Sequence, residues 1–524
     1  MPARDSAGAT PPDDNRRHRR ASERRSLSPG LRLAPPHPSG SPLPRVCIIG
    51  AGSSGIAACK VLAEHGVPFE CFEASATVGG MWQFGNPHSS SAYRSLHINT
   101  SRRTMEYSDF PMPEDYPDFP HHSLIQRYFE DYVDHFGLRQ RITFRTRVER
   151  CGLDSDGCWS VRLSSGQSRR FDAVIVANGH HWDPLWPEPA YPGNFDGDEL
   201  HAHHYVDETQ PIDFRAKNVL VVGMGNSAMD IACELGRKGV ANRVLLSIRT
   251  PNHIIPKYLS GGRTLDWWSR HPADPPSLSE RVLRAVMPKD FADWIGTRML
   301  EKAVGRPEQY GLPRPTHRLI ESHPTISSEI HYRLGAGDVM PKDNLREKRG
   351  RQVAFADGSV EDVDVIIYAT GYRISFPFLD QSVISAQNND IALYYRILDP
   401  RYPSLLFLAL VQPLCAMMPI AEQQAIFMAR YLRGEYHPPE REVMEREMRR
   451  AHEEIKAGYV ASKRHTIQIQ CQEYTDELRA ELKRGARRAA RAGYILPVPA
   501  ALSSEPSARQ SDAEAEQAPL TAEM

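Results

Sequence analysis

Neither sign of charge is in excess: 64 lysines and arginines face 65 aspartates and glutamates in 524 residues, a formal net charge of -1. Such a chain has no whole-surface attraction for nucleic acid or anionic lipid, so its expected partner is a small molecule. Long apolar runs are missing as well. The richest stretch, Leu405 to Ile420, is broken by Gln412, Pro413 and Pro419, whereas a spanning helix needs about 20 consecutive apolar residues; no membrane anchor is expected. Closely spaced cysteines are the third absence. The eight cysteines, at positions 47, 59, 71, 151, 158, 233, 415 and 471, include no C-x-x-C pair. They supply neither a secretory disulfide framework nor a redox dithiol, and they fit a reducing cytoplasm.

At both ends large apolar residues are scarce. Residues 1–44 are rich in Pro, Ser and Arg and read as a disordered extension, because too little apolar surface is present to offset the entropy of ordering. A twin-Arg export signal would need an apolar core after its basic segment, and Ser28 to Pro44 has Pro, Ser and Gly instead; a transit peptide stays open. Residues 496–524 read as a second solvated tail. Between the tails, short β-branched runs alternate with helical segments, the pattern of parallel sheets wrapped by helices.

Two of those runs end in glycine turns. Arg45 to Ile49 reads as a buried strand, followed by Gly50-Ala51-Gly52-Ser53-Ser54-Gly55 and a helix over Ile56 to His65. This is the context a dinucleotide fingerprint requires: a first glycine for the tight turn, a second for pyrophosphate approach, a third for helix packing, and a helix N-terminus facing the phosphates. The next strand, Pro68 to Phe72, delivers Glu73, where a carboxylate binds ribose hydroxyls. Gly79-Gly80-Met81-Trp82 follows, a glycine pair and a large aromatic suited to backbone passing close to a flavin.

The second turn repeats the first. Asn218 to Val222 is a strand, and Gly223-Met224-Gly225-Asn226-Ser227-Ala228 leads into a helix carrying Asp230, either a helix-dipole carboxylate or a cofactor contact. At the position equivalent to Glu73 stands Leu246, and the strand end reads Leu246-Ser247-Ile248-Arg249. An acid there would repel a 2'-phosphate, whereas the planar fork of Arg249 pairs with it. The second turn is therefore assigned to NADPH rather than NADH, and two dinucleotide sites in one chain imply a flavin reduced by a nicotinamide.

Between the turns, Phe195 to Tyr205 fits F-x-G-x-x-x-H-x-x-x-Y, and Leu96-His97-Ile98-Asn99-Thr100, Tyr107 to Pro111, Tyr368 to Tyr372 and Met418 to Glu422 keep the order of one family. In these segments the sequence resembles the flavin-containing monooxygenases, class B flavoprotein monooxygenases of the N- and S-oxygenating type. Tyr205-Val206 stands where the Baeyer-Villiger branch has Trp followed by Pro or Asp, which favours the heteroatom-oxygenating branch. His201, His203 and His204 alone would suggest a metal, but no second ligand cluster has convincing spacing, and none is assigned.

The resemblance implies that NADPH reduces FAD, that O2 adds to give a C4a-hydroperoxyflavin, and that a soft nucleophilic N or S of a small amine or sulfide takes one oxygen atom. Asn99 is the implied catalytic residue, since its amide both donates and accepts without adding charge; His97 is a poorer candidate. Gly80, Met81, Trp82 and Thr100 join the cofactor-binding set. The fold expected is α/β: two doubly wound Rossmann-like domains, with an NADPH domain (211–324) inserted in an FAD domain (45–210 and 325–435). A helical segment (436–495) with an amphipathic portion at Tyr474 to Leu482 packs on this body. Trp267, Trp268 and Trp294 are expected to shape substrate access. A ketone monooxygenase and a non-catalytic FAD/NADPH sensor are the alternatives, a disulfide reductase lacks its cysteine pair, and a homodimer is left open.

Overall fold

The computed structural model describes residues 30–35, 37, 40–88, 90–259, 261–319, 321–458 and 466–500. Most of the expected N-terminal extension and of the C-terminal tail lies outside them. Within the described residues the packed body reaches back before residue 45, because the Ala34 N–H donates to the Glu64 carbonyl and the Arg433 guanidinium to the Pro35 carbonyl.

The apolar run of β1 (Val46–Ile49) is buried along its whole length, as a strand covered on both faces must be. Val46 and Ile48 enter one core while Cys47 and Ile49 enter another across the sheet. Next come α1 (Ser53–Glu64), β2 (Phe69–Phe72), α2 (Arg102–Met105), α3 (His122–His135), β3 (Ile142–Thr143) and β4 (Ala173–Val176). A three-stranded antiparallel meander over 148–171 precedes β4.

β5 (Asp198–His201), β6 (Asn218–Val222), α4 (Asn226–Leu235) and β7 (Arg243–Ser247) begin the second unit, which β8 (Val339–Lys342) and β9 (Val365–Tyr368) complete. Its five strands are all parallel, in the order β5-β9-β6-β7-β8. This corrects the expected boundaries of 211 and 324, since the sheet draws strands from 198 to 368. The chain then returns to the first sheet through β10 (Leu398–Asp399) and β11 (Tyr402–Phe407), giving the order β10-β11-β4-β1-β2-β3. The inserted arrangement holds, with a longer insert than the sequence implied.

Three helices close the body: α5 (Met417–Leu432), α6 (Arg441–Gly458) and α7 (Cys471–Arg491). Tyr474, Thr475, Leu478 and Leu482 of α7 are buried at helical spacing, the amphipathic stripe expected there. A disulfide joins Cys415, just before α5, to Cys471 at the start of α7. The expectation that the cysteine spacing supplies no disulfide framework is corrected at this pair; the other six cysteines are free and buried.

Candidate active site

Each sheet presents its glycine turn at the carboxyl end of a central strand, where the chain leaves in opposite directions on either side. β1 lies between β2 and β4, and β6 lies between β9 and β7. Open α/β sheets leave a crevice at such points.

At the first turn Gly50 has φ +101°, and a Cβ there would come 2.7 Å from the carbonyl oxygen of Ala177, just past β4. A Cβ on Gly55 would sit 2.0 Å from the Gly50 carbonyl, so helix and strand meet only through glycine. Above Gly52 the nearest atom is Gly80 Cα, 3.7 Å from an added Cβ, and Gly52 bridges to Gly79. Glu73 is buried, with one oxygen accepting from Ala51 N–H at 2.7 Å and the other from Ser75 N–H at 2.8 Å. It therefore braces the turn, and a ribose would share its remaining lone pairs. α1 begins at Ser53 and Ser54 with no side-chain cap and no acid in its first turn, leaving its end N–H groups and positive dipole for an anion. This donor set fits the diphosphate of FAD.

The second turn matches it with Gly223 at φ +138°, where a Cβ would lie 2.6 Å from the Ala369 carbonyl oxygen after β9. Gly225 precedes α4, which is likewise uncapped and has no acid in its first turn. The Asn226 amide oxygen accepts from Ile326 N–H at 2.8 Å, so Asn226 holds a neighbouring loop, with Ser227 beside it. Arg249, exposed past the end of β7, makes no hydrogen bond or ion pair with any described residue. Tyr191 lies close enough to feel its charge and stacks on Tyr368 with ring centres 6.3 Å apart. An unengaged guanidinium at the strand end fits a 2'-phosphate.

The two halves meet along the segment that carries Asn99. The Tyr93 hydroxyl donates to Asp230 on α4, and the Ser95 hydroxyl donates to Glu234 one turn later at 2.6 Å. Burial pushes the Asp230 carboxyl up, opposed by the Tyr93 hydrogen bond and the charge of Lys257. Burial likewise pushes the Lys257 ammonium down, opposed by Asp230; it lies 5.3 Å from the Phe119 ring centre. Asp230 thus ties the two halves at the seam, a contact besides the helix-dipole and cofactor roles expected of it from the sequence. Trp82 packs against the cores of both halves, and Met81 precedes it in the same short turn.

The stretch Leu96 to Ile98 is tied to residues 120–122 by Ile98 N–H to Pro120 O at 3.1 Å and His122 N–H to Leu96 O at 2.9 Å. Asn99 and Thr100 then form the bend before α2. The Asn99 amide oxygen is buried with no hydrogen-bond partner among the described residues, an acceptor that a bound group would satisfy.

The structure therefore brings Asn99, Thr100, Trp82 and Asp230 to the seam and places the two glycine turns on either side of it. His201 is buried beside Trp186 and Tyr372, and burial holds its imidazole down to about 4. Among the described residues no group of three or more His, Cys, Asp or Glu side chains converges on a metal-sized point. Of the tryptophans, Trp267 contacts Arg103 of α2, whereas Trp268 and Trp294 are 72% and 55% exposed. Sequence reading missed Tyr93 and Lys257. The aromatic in Ala92-Tyr93-Arg94 and the cation in Pro256-Lys257-Tyr258 carry no local motif.

The profile of the family described as flavin-binding monooxygenase-like matches residues 44–487. The chain is 35% identical over 442 residues to flavin-containing monooxygenase 5 of Rattus norvegicus, covering 81% of this chain and 80% of that one. It is 33% identical over 453 residues to dimethylaniline monooxygenase [N-oxide-forming] 2 of the same organism, covering 84% and 82%. The structure of S-allyl-L-cysteine S-oxygenase from Allium sativum superposes with a TM-score of 0.61 at 22% identity, over 86% of this chain and 92% of that one. Among the described residues no helix is long and apolar enough to cross a membrane.

Proposed function

The chain belongs to the flavin-binding monooxygenase-like family, and from that premise we propose how its residues divide the work of an NADPH- and O2-dependent monooxygenase acting on soft nitrogen or sulfur. Bound FAD supplies the redox chemistry, taking two electrons from NADPH and passing them to O2, so that one oxygen atom joins the substrate and the other leaves as water. The remaining tasks belong to the protein.

Gly50 to Gly55 and the open end of α1 hold the FAD diphosphate, and Glu73 keeps that turn closed while sharing a lone pair with ribose. Gly223, Gly225 and the open end of α4 hold the NADPH diphosphate. Arg249 selects NADPH over NADH by pairing with the 2'-phosphate, a contact that an uncharged hydroxyl cannot replace. The Tyr93–Asp230 and Ser95–Glu234 bonds keep the two halves together, which would hold the FAD and NADPH sites at a fixed spacing and help exclude water between them.

Asn99 acts at the flavin edge. Its amide offers a donor to the reduced oxygen species while its own oxygen stays neutral, so no charge is added to a site where an extra proton or negative charge would favour loss of peroxide. No general base is required of the protein, because the lone pair of the amine or sulfide is itself the nucleophile. Substrates are small amines and sulfides, held more by shape and dryness than by specific polar contacts.

One observation carries the reading: two parallel sheets each end in an uncapped glycine turn at a switch point, on either side of a seam where Asn99 is buried with an unsatisfied oxygen. The test is to measure bound FAD and the fate of NADPH electrons with N,N-dimethylaniline or methyl phenyl sulfide as substrate. One FAD per chain and an N-oxide or sulfoxide formed in step with NADPH loss are expected. A protein that holds FAD but returns all electrons as hydrogen peroxide, whatever the amine or sulfide offered, would contradict the reading.

A further inference from the structure

Asn99 is held from two sides, and only one of them belongs to the FAD half. Before it, Ile98 N–H and His122 N–H tie the strand to residues 120–122. After it, the chain is gripped by Asp266, which lies in the segment between β7 and β8 and is 165 residues away in sequence. One carboxylate oxygen of Asp266 accepts from the Ser101 N–H at 2.8 Å, from the Ser101 hydroxyl at 2.8 Å and from the Thr104 hydroxyl. Asp266 is 6% exposed, and its other oxygen has no partner among the described residues.

Two further contacts fix the geometry. The Arg103 guanidinium donates to the Trp267 carbonyl at 2.9 Å and to the Asp266 carbonyl at 3.3 Å while covering the Trp267 ring. His271 bonds through its Nε2 to the Glu106 carbonyl at 3.0 Å, just past the end of α2. The inserted segment is therefore bolted along the whole of α2. A buried carboxylate is costly unless its hydrogen bonds are made; here three donors converge on a single oxygen, all from the turn that starts two residues after Asn99.

We propose that Asp266 is a positioning residue: by fixing Ser101 and Thr104 it sets where the Asn99 amide stands, and so decides whether oxygen reaches the substrate or escapes as peroxide. The inference rests on the role given above to Asn99. It makes the inserted segment part of the oxygenation machinery rather than only a wall around the substrate. Asp266 touches neither flavin nor nicotinamide in this account; its action passes through the backbone at Ser101.

Three variants test this in the holoenzyme: Asp266→Ala, Asp266→Asn and Asn99→Ala. Hydrogen exchange of residues 99–106, read without NADPH, should quicken about tenfold or more in Asp266→Ala, because the Ser101 amide loses a charge-assisted bond. FAD content and the anaerobic rate of flavin reduction by NADPH should stay within about twofold of the parent, while hydrogen peroxide per NADPH rises about threefold or more. Asp266→Asn keeps one acceptor oxygen for the same donors and should restore most of both the protection and the coupling.

Unchanged exchange and coupling in Asp266→Ala would overturn the proposal. So would loss of FAD, reduction and coupling together in both Asp266 variants, the mark of general destabilisation. Should Asn99→Ala uncouple while Asp266→Ala does not, the Asp266 inference fails and the reading of Asn99 survives. If Asn99→Ala stays coupled, both fall.

Discussion

Over the first glycine turn the backbone of Gly79 and Gly80 crosses close above Gly52, and Glu73 braces the turn from behind through the Ala51 N–H. Over the second, no acid braces the strand end, Ala228 stands where Gly55 stands in the first, and Arg249 points outward without a protein partner among the described residues. The same strand-turn-helix unit is thus crossed by the Gly79–Gly80 backbone in one case and held by Asn252, Thr325 and Ile326, which bond to Met224 and Asn226, in the other. The contrast teaches that the two units differ chiefly at the strand end, an acid bonded into the turn at one and an arginine with no protein partner among the described residues at the other, while the uncapped helix ends are alike.

The largest expected effect attacks the first turn. Gly55→Ala would place a Cβ 2.0 Å from the Gly50 carbonyl, a clash between backbone and side chain that nothing nearby can relieve. The purified variant should be colourless or unfolded, as absorbance in the flavin band and a thermal melt would show. A yellow variant with a melting temperature near the parent's would mean that the close packing is not needed. Gly223→Ala comes next. Its Cβ meets the Ala369 carbonyl at 2.6 Å and the backbone stands at φ +138°, a strain of order 1–3 kcal/mol. FAD should be retained while reduction by NADPH falls by at least about tenfold; loss of flavin here would erase the distinction between the turns.

Asn99→Ala leaves both turns intact. Its expected signature is unchanged flavin reduction with most electrons diverted to hydrogen peroxide, read as peroxide formed per NADPH. Arg249→Ala probes the second turn alone: KM for NADPH should rise about 10- to 100-fold, as removal of a charge-assisted bond of about 1.5–3 kcal/mol implies, with KM for NADH nearly unchanged. An equal loss for both nucleotides would remove Arg249 from the 2'-phosphate site.

The smallest effect concerns His201 at the end of β5. Its folded imidazole is held down to about 4 from an ordinary 6.5, chiefly by burial. A depressed folded value means that its contribution to stability is present above 6.5 and is lost as the pH falls toward 4. His201→Gln should therefore flatten part of the fall in melting temperature between pH 6.5 and pH 4, and an identical slope would show that other groups carry it.

Both turns were legible in the sequence because each depends on local features. A strand buried on both faces must be a continuous apolar run, and a turn that admits no Cβ must be glycine, so Val46 to Gly55 and Asn218 to Ala228 announce themselves. The expectation for Arg249 rested on the absence of an acid at the equivalent strand end. What lay beyond reach was set by pairing over distance. β8 reads Val-Met-Pro-Lys, the weak apolar signal of an edge strand, so the second sheet looked shorter than it is. Cys415 and Cys471 are 56 residues apart, and only the docking of α7 against α5 brings them together. Asp266 and Lys257 sit in ordinary local contexts, and their importance comes from partners in the opposite half of the molecule.

In the proposed reaction a bound flavin and NADPH meet at the Asn99 seam to place one atom of O2 on a nitrogen or sulfur. Turnover under 18O2 in unlabelled water, with methyl phenyl sulfide as substrate, tests it most directly. One 18O atom in the sulfoxide for each NADPH consumed, with FAD still bound to the protein afterward, is the predicted result. Sulfoxide without label, or NADPH consumed with only labelled hydrogen peroxide formed, would contradict it.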